Sequence, residues 1–115
     1  MEQVLNIRRR DIVLVPFPFS DQTGSKRRPA LVVSSDKFNA QSADVVALAI
    51  TSFSDDDSYE VLIKPEDWKD GLYSESYVKA WAICVIDKRL VIKRIGRLAL
   101  VKYEEAVGKT REILG

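Results

Sequence analysis

Histidine is absent from this chain, and cysteine occurs once, at Cys84. Without imidazole there is no Ser-His-Asp or Cys-His nucleophile system, no histidine acid–base pair and no catalytic zinc site of the usual kind. A single thiol excludes an intramolecular disulfide and multi-cysteine zinc sites. Set inside the apolar run AWAICVI, Cys84 is expected to be buried and inert. An excess of either charge is missing too. Lys and Arg number 18 against 17 Asp and Glu, so no global field draws the molecule to a polyanion, and an anionic partner must be met by a local patch. Neither GxxxxGK[ST] nor GxGxxG occurs, which argues against P-loop and dinucleotide folds. The opening MEQVLNIRRR has no signal-peptide core, and no apolar run approaches membrane-spanning length. The expectation is a soluble, cytoplasmic protein without a membrane partner. If it is an enzyme, its chemistry must run on Arg, Lys, hydroxyls or carboxylates, and no cofactor is expected.

What the chain does contain is a series of short apolar runs between polar turns: Ile12–Val15, Ala30–Val33, Val45–Ile50, Tyr59–Ile63, Tyr77–Ile86 and Leu90–Leu98. Val, Ile and Leu dominate them, as expected of strands with at least one buried face. Six or so short strands in 115 residues favour a small barrel over an open sheet. Alternation fails at Lys93-Arg94, which predicts a bulge or bend there. Asp36–Gln41 reads as a short helical turn with Asp36 as N-cap, and Pro65-Glu66-Asp67-Trp68 as another, with Pro in its first turn. From Leu100 the period changes: Leu100, Tyr103, Val107, Thr110 and Leu114 step by three and four, one face of a terminal amphipathic helix. No repeat or linker divides residues 1–115, so a single mainly β domain closed by a C-terminal helix is predicted.

The segment DIVLVPFPFSDQTGSKRRPALVVSS carries the chemistry. It reads as a strand, a long polar loop ending in Lys26-Arg27-Arg28, then a second strand after Pro29. Pro29 biases Arg28 toward extended backbone, so Arg28 is expected at a strand entry with its guanidinium directed into a groove. Clustered guanidinium groups at a fixed point suit an anion, phosphate above all. Thr51-Ser52 closes the strand Val45–Ile50; beside Arg28 those hydroxyls would complete a site for a phosphate and its neighbouring 2′-hydroxyl. Asp55-Asp56-Asp57 lacks the spacing and glycine of a calcium loop and reads as a solvated turn. Arg8-Arg9-Arg10 and the later Lys88, Arg89, Lys93, Arg94 and Arg97 are further basic regions. Trp68 and Trp81 are expected in the core or an interface rather than as base-stacking platforms.

The blocks DIVLVPFPF…GSKRRPALVVSS, ALAITS and IDKRLVIKRIGRL, in that order and spacing, resemble the PemK/MazF toxins of prokaryotic toxin–antitoxin systems. The resemblance implies an SH3-like barrel of the CcdB/MazF type that forms a homodimer. It also implies metal-independent, sequence-specific endoribonuclease activity on single-stranded RNA, and a cognate antitoxin that blocks the RNA groove. Carried over by position, Arg28 and Thr51 become the catalytic residues, and Lys26, Arg27, Ser52, Phe19 and Lys79 the RNA contacts. Two departures stand out. Relatives commonly open the first strand with Gly-Asp where this chain has Arg10-Asp11, and they carry polar residues where Trp81–Val85 is apolar. The second departure favours the alternative functions: a toxin on the same fold that binds a protein such as DNA gyrase, as CcdB does, or an inactive relative.

Overall fold

The computed structural model describes residues 6–17, 26–68 and 74–115. Among these residues six strands form one curled antiparallel sheet: β1 Asp11–Phe17, β2 Lys26–Val32, β3 Asp44–Thr51, β4 Glu60–Ile63, β5 Ser76–Asp87 and β6 Lys93–Arg97, in the spatial order β4-β5-β3-β2-β1-β6. This is the small, mainly β barrel expected from the apolar runs, of the SH3-like type that the resemblance implies, with helices α1 at Asp36–Gln41 and α2 at Leu100–Leu114. A 3-10 turn at Pro65–Asp67 fulfils the reading of that segment, with Pro at its start. A second one, at Lys88–Leu90, delays the last strand to Lys93.

Strand alternation divides the apolar residues between two faces. One face buries Ile12, Leu31, Leu48, Ile50, Val61, Ile63 and Val78, together with Trp68 and with Tyr103 and Ala106 of α2. The opposite face buries Val13, Val15, Ala30, Val32, Val45, Ala47 and Ile86 under Ile7 and Val91, and Cys84 packs against it. Cys84 donates to the Ala47 carbonyl at 3.4 Å, and burial pushes its thiol above its ordinary range. Of the expected face of α2, Tyr103 is buried and Val107 and Thr110 are half-buried, whereas Leu100 and Leu114 remain exposed. The Tyr103 hydroxyl ties the helix to the sheet by donating to the Val33 carbonyl at 3.2 Å.

Three local expectations shift. The N-cap of α1 is Ser35, whose Oγ accepts from the Phe38 amide; Asp36 is the first helical residue, and its carboxylate accepts from the Arg9 amide at 2.8 Å. The irregularity of β6 falls between the partners Gly96 and Arg94, at Ile95 rather than at Lys93-Arg94. Most consequential is a break in the β3–β5 ladder. Leu48 pairs with Ile83 and Ile50 with Val78, so Lys79 to Ala82 stand against Ala49 alone, a bulge in β5.

Candidate functional site

Arg28 and Thr51 meet through the β2–β3 register. Ala30 pairs with Ala49. Continuing that register one step along each strand's face sets Arg28 beside Thr51. Both line one cleft of about 310 Å³ together with Ala49, Phe53, Asp55, Lys79, Trp81 and Ala82. The β2–β3 ladder begins at Ala30, directly after Pro29, which has no N–H to offer. Arg28 lies inside β2, opposite Val15, and not at the strand's entry.

That placement breaks up the expected cluster of cations. Successive strand residues point to opposite faces, so Arg27, exposed and opposite Pro16, leaves the face that Arg28 shares with Ala30. Lys26 opens β2 opposite Phe17. Phe19 lies outside the described residues. Ser52 is exposed one residue past the end of β3 and is not part of the cleft lining. Thr51 is half-buried, and its hydroxyl hydrogen is engaged: Oγ1 donates to the Phe53 carbonyl at 3.0 Å, leaving the oxygen lone pairs open to a donor.

Lys79 differs from its expected role as an exposed RNA contact. Its side chain is only 4% exposed, and Nζ donates to Glu60 Oε1 at 2.6 Å and to Asp55 Oδ2 at 2.9 Å. The Tyr77 ring centroid lies 5.8 Å from the same ammonium. Burial alone would lower its pKa, but the hydrogen bonds and charges of Glu60 and Asp55 outweigh it and hold Lys79 above its usual value. Glu60 is held down to about 2 by the hydrogen bonds from Lys79, the Ser54 hydroxyl and the Asp55 amide. Lys79 is therefore a tether for the loop after β3 rather than a free cation.

The same contacts revise the reading of Asp55-Asp56-Asp57 as a merely solvated turn. Asp57 accepts from the Tyr59 amide at 2.8 Å, and Asp56 adopts a φ of 55°, a left-handed conformation that Asp tolerates. Asp55 joins the ion cluster and faces the cleft. The carboxylate oxygens of Asp55, Asp57 and Glu60 lie within 4.8 Å of one another, and the Lys79 ammonium already serves two of them. Sequence reasoning also missed Phe53 and Trp81 as cleft residues. Trp68 is buried in the core as expected, but Trp81, at the β5 bulge, is 52% exposed.

The outer basic runs act locally. Asp11, 1% exposed, accepts from the Arg8 amide at 2.7 Å and from Arg94 Nη1 at 3.4 Å. Arg89 grips Asp87 at 2.8 Å, and Arg8 meets Asp36 at 3.4 Å. Among the described residues no helix is long and apolar enough to cross a membrane.

Against known proteins, residues 8–114 match the family of PemK-like, MazF-like toxins of type II toxin–antitoxin systems. The fold is similar to that of MazF from Deinococcus radiodurans, with 23% identity, a TM-score of 0.79, and 96% of this chain and 98% of that one covered. A MazE–MazF structure from the same organism gives 25% identity and a TM-score of 0.78 over 96% of this chain and 98% of that one. An endoribonuclease from a Mycobacterial species, in complex with its cognate antitoxin, gives 23% identity and a TM-score of 0.77 over 95% of each chain. Among curated proteins, none matches this chain by sequence.

Proposed function

The chain belongs to the PemK-like, MazF-like toxins of type II toxin–antitoxin systems, and from that membership we propose that it is a metal-independent endoribonuclease acting on single-stranded RNA at short sequence motifs. The observation that carries this reading is the convergence of Arg28 and Thr51, from neighbouring strands, on one cleft. In the reaction the substrate 2′-oxygen attacks the adjacent phosphorus and the bond to the 5′-oxygen breaks. The products end in a 2′,3′-cyclic phosphate and a 5′-hydroxyl. Negative charge builds on the non-bridging oxygens in the transition state, and a guanidinium fixed by a strand is suited to hold it there. A guanidinium keeps its proton too firmly to serve as a general base, so the role of Arg28 is electrostatic. Thr51 already donates to Phe53, and its lone pairs can accept from the 2′-hydroxyl and orient it for attack.

The protein acts in the cytoplasm as one barrel domain per chain, paired with a second copy, and a cognate antitoxin occludes the cleft. Exposed Ile83 and Val85, beyond the cleft on β5, are the apolar surface for the second copy. The test is a cleavage assay on mixed single-stranded RNA in EDTA, with sedimentation of the same samples. Wild type should sediment as a dimer and leave cyclic phosphate ends, while Arg28→Ala should stay folded and dimeric and lose cleavage by at least about a hundredfold. Equal cleavage by both proteins would remove Arg28 from the site, and a monomeric wild type would remove the second copy.

A second reading is favoured by the exposed apolar residues Trp81, Ile83 and Val85 of β5: a toxin that binds a protein target such as DNA gyrase, or a relative without activity. Intact RNA in both lanes, with toxicity persisting in Arg28→Ala, would favour binding over cleavage.

A further inference from the structure

The cleft around Arg28 and Thr51 contains more than a phosphate requires. Phe53 is 73% exposed and Trp81 is 52% exposed, and both rings line it. Large rings left in water are unfavourable unless something covers them. Ala49 and Ala82 are the small residues of the same lining. Asp55 adds a carboxylate that is held in place. Its Oδ2 accepts from the buried Lys79 at 2.9 Å, and its amide donates to Glu60 Oε1 at 2.9 Å. The lining thus joins one guanidinium, two aromatic rings and one anchored acceptor. That combination complements a nucleotide: phosphate at Arg28, a flat face against the rings, a donor edge toward Asp55.

We propose that Phe53, Trp81 and Asp55 form a nucleobase subsite beside the scissile phosphate, taking a single-stranded base that bears an exocyclic amino group. The rings stack on the base, and Asp55 accepts from the amino group. Uracil is disfavoured, because its one ring N–H lies between two carbonyl oxygens whose lone pairs meet the carboxylate. Cytosine has the same size and presents an amino donor at that edge. The proposal rests on the ribonuclease reading. It deepens that reading by assigning base preference to residues that the resemblance does not supply.

The test uses the full-length protein and short 2′-deoxy strands of cytosine or uracil, which lack the attacking hydroxyl, so binding is read with chemistry switched off. Trp68 is 3% exposed, so a change in tryptophan emission on binding reports Trp81, and Trp81→Phe should abolish that change. Wild-type protein should be quenched and should bind the cytosine strand several-fold tighter. Phe53→Ala, on an exposed loop, should weaken binding about tenfold. Asp55→Asn keeps an acceptor for Lys79 but adds a donor, and should erase the preference for cytosine. Equal affinity for the two strands, or Arg28-dependent binding unaffected by Phe53→Ala, would overturn the subsite. So would a Trp81→Ala protein that becomes monomeric with unchanged affinity, since that assigns the ring to a protein interface. Arg28-dependent RNA cleavage with an unresponsive Trp81 sinks the subsite alone. Absence of both cleavage and binding sinks the ribonuclease reading with it.

Discussion

Arg10 stands where the resemblance leads one to expect glycine, and its backbone is one that glycine adopts freely. Its φ is 80°, a left-handed conformation that costs a residue with a Cβ about 1–2 kcal/mol. The surrounding structure imposes it from both sides. The Arg10 amide donates to the Val32 carbonyl at 3.0 Å, and its carbonyl accepts from the Leu98 amide at 3.0 Å. The side chain offsets part of the strain through Nε, which donates to the Leu98 carbonyl at 3.1 Å. Arg10→Gly and Arg10→Ala both lose that bond, and only glycine relieves the φ. Arg10→Gly should therefore be more stable than Arg10→Ala by about 1 kcal/mol in urea unfolding. Equal stabilities would mean that the turn relaxes once the arginine is gone.

At the scale of elements, α2 is legible because its period is local, yet it contains a flaw. Gly108 is exposed in mid-helix, and a Cβ built there meets nothing within 4 Å. Gly108→Ala should raise stability by about 0.5–1 kcal/mol, seen as a higher thermal midpoint. A lower midpoint would show that the helix needs flexibility there or packs against another chain. The six strands were legible for a similar reason, since short runs of Val, Ile and Leu between polar turns are read from neighbours. What escaped the sequence was the consequence of register. The run from Trp81 to Val85 reads as uniformly apolar, but Lys79 to Ala82 stand against a single β3 residue, and Trp81 is exposed at that bulge. Likewise, treating Lys26-Arg27-Arg28 as loop residues predicted one cationic cluster. Carrying β2 through them sends the Arg27 and Arg28 side chains to opposite faces and leaves Arg28 as the guanidinium in the cleft lining. The Lys79 tether joins residues from β5, β4 and the loop between β3 and β4, and no local pattern announces such a contact.

For the whole molecule, these tethers decide how folding responds to acid. Asp36 is held below 3.8, first by the Arg9 amide; Asp87 is held to about 2, first by the Arg89 side chain; and Glu60 falls from 4.5 to about 2. Each folded value lies below its unfolded one, so the unfolded chain binds protons first as pH falls. The stability these carboxylates contribute is fully present above about pH 4.5 and is lost progressively as pH falls toward 2. The two strongest cases differ in environment. Arg89 is 89% exposed, so its pair with Asp87 is screened by water and salt, whereas Lys79 and Glu60 are 4% and 9% exposed. The acid limb should therefore belong mainly to Glu60. In urea unfolding repeated from pH 5 to pH 2.5, Glu60→Gln should flatten the loss of stability far more than Asp87→Asn, and moderate salt should spare the difference. If the two variants flatten it equally, the Lys79 cluster opens before the molecule unfolds. The loop that presents Asp55 to the cleft would then be detached in mild acid while the barrel stays intact.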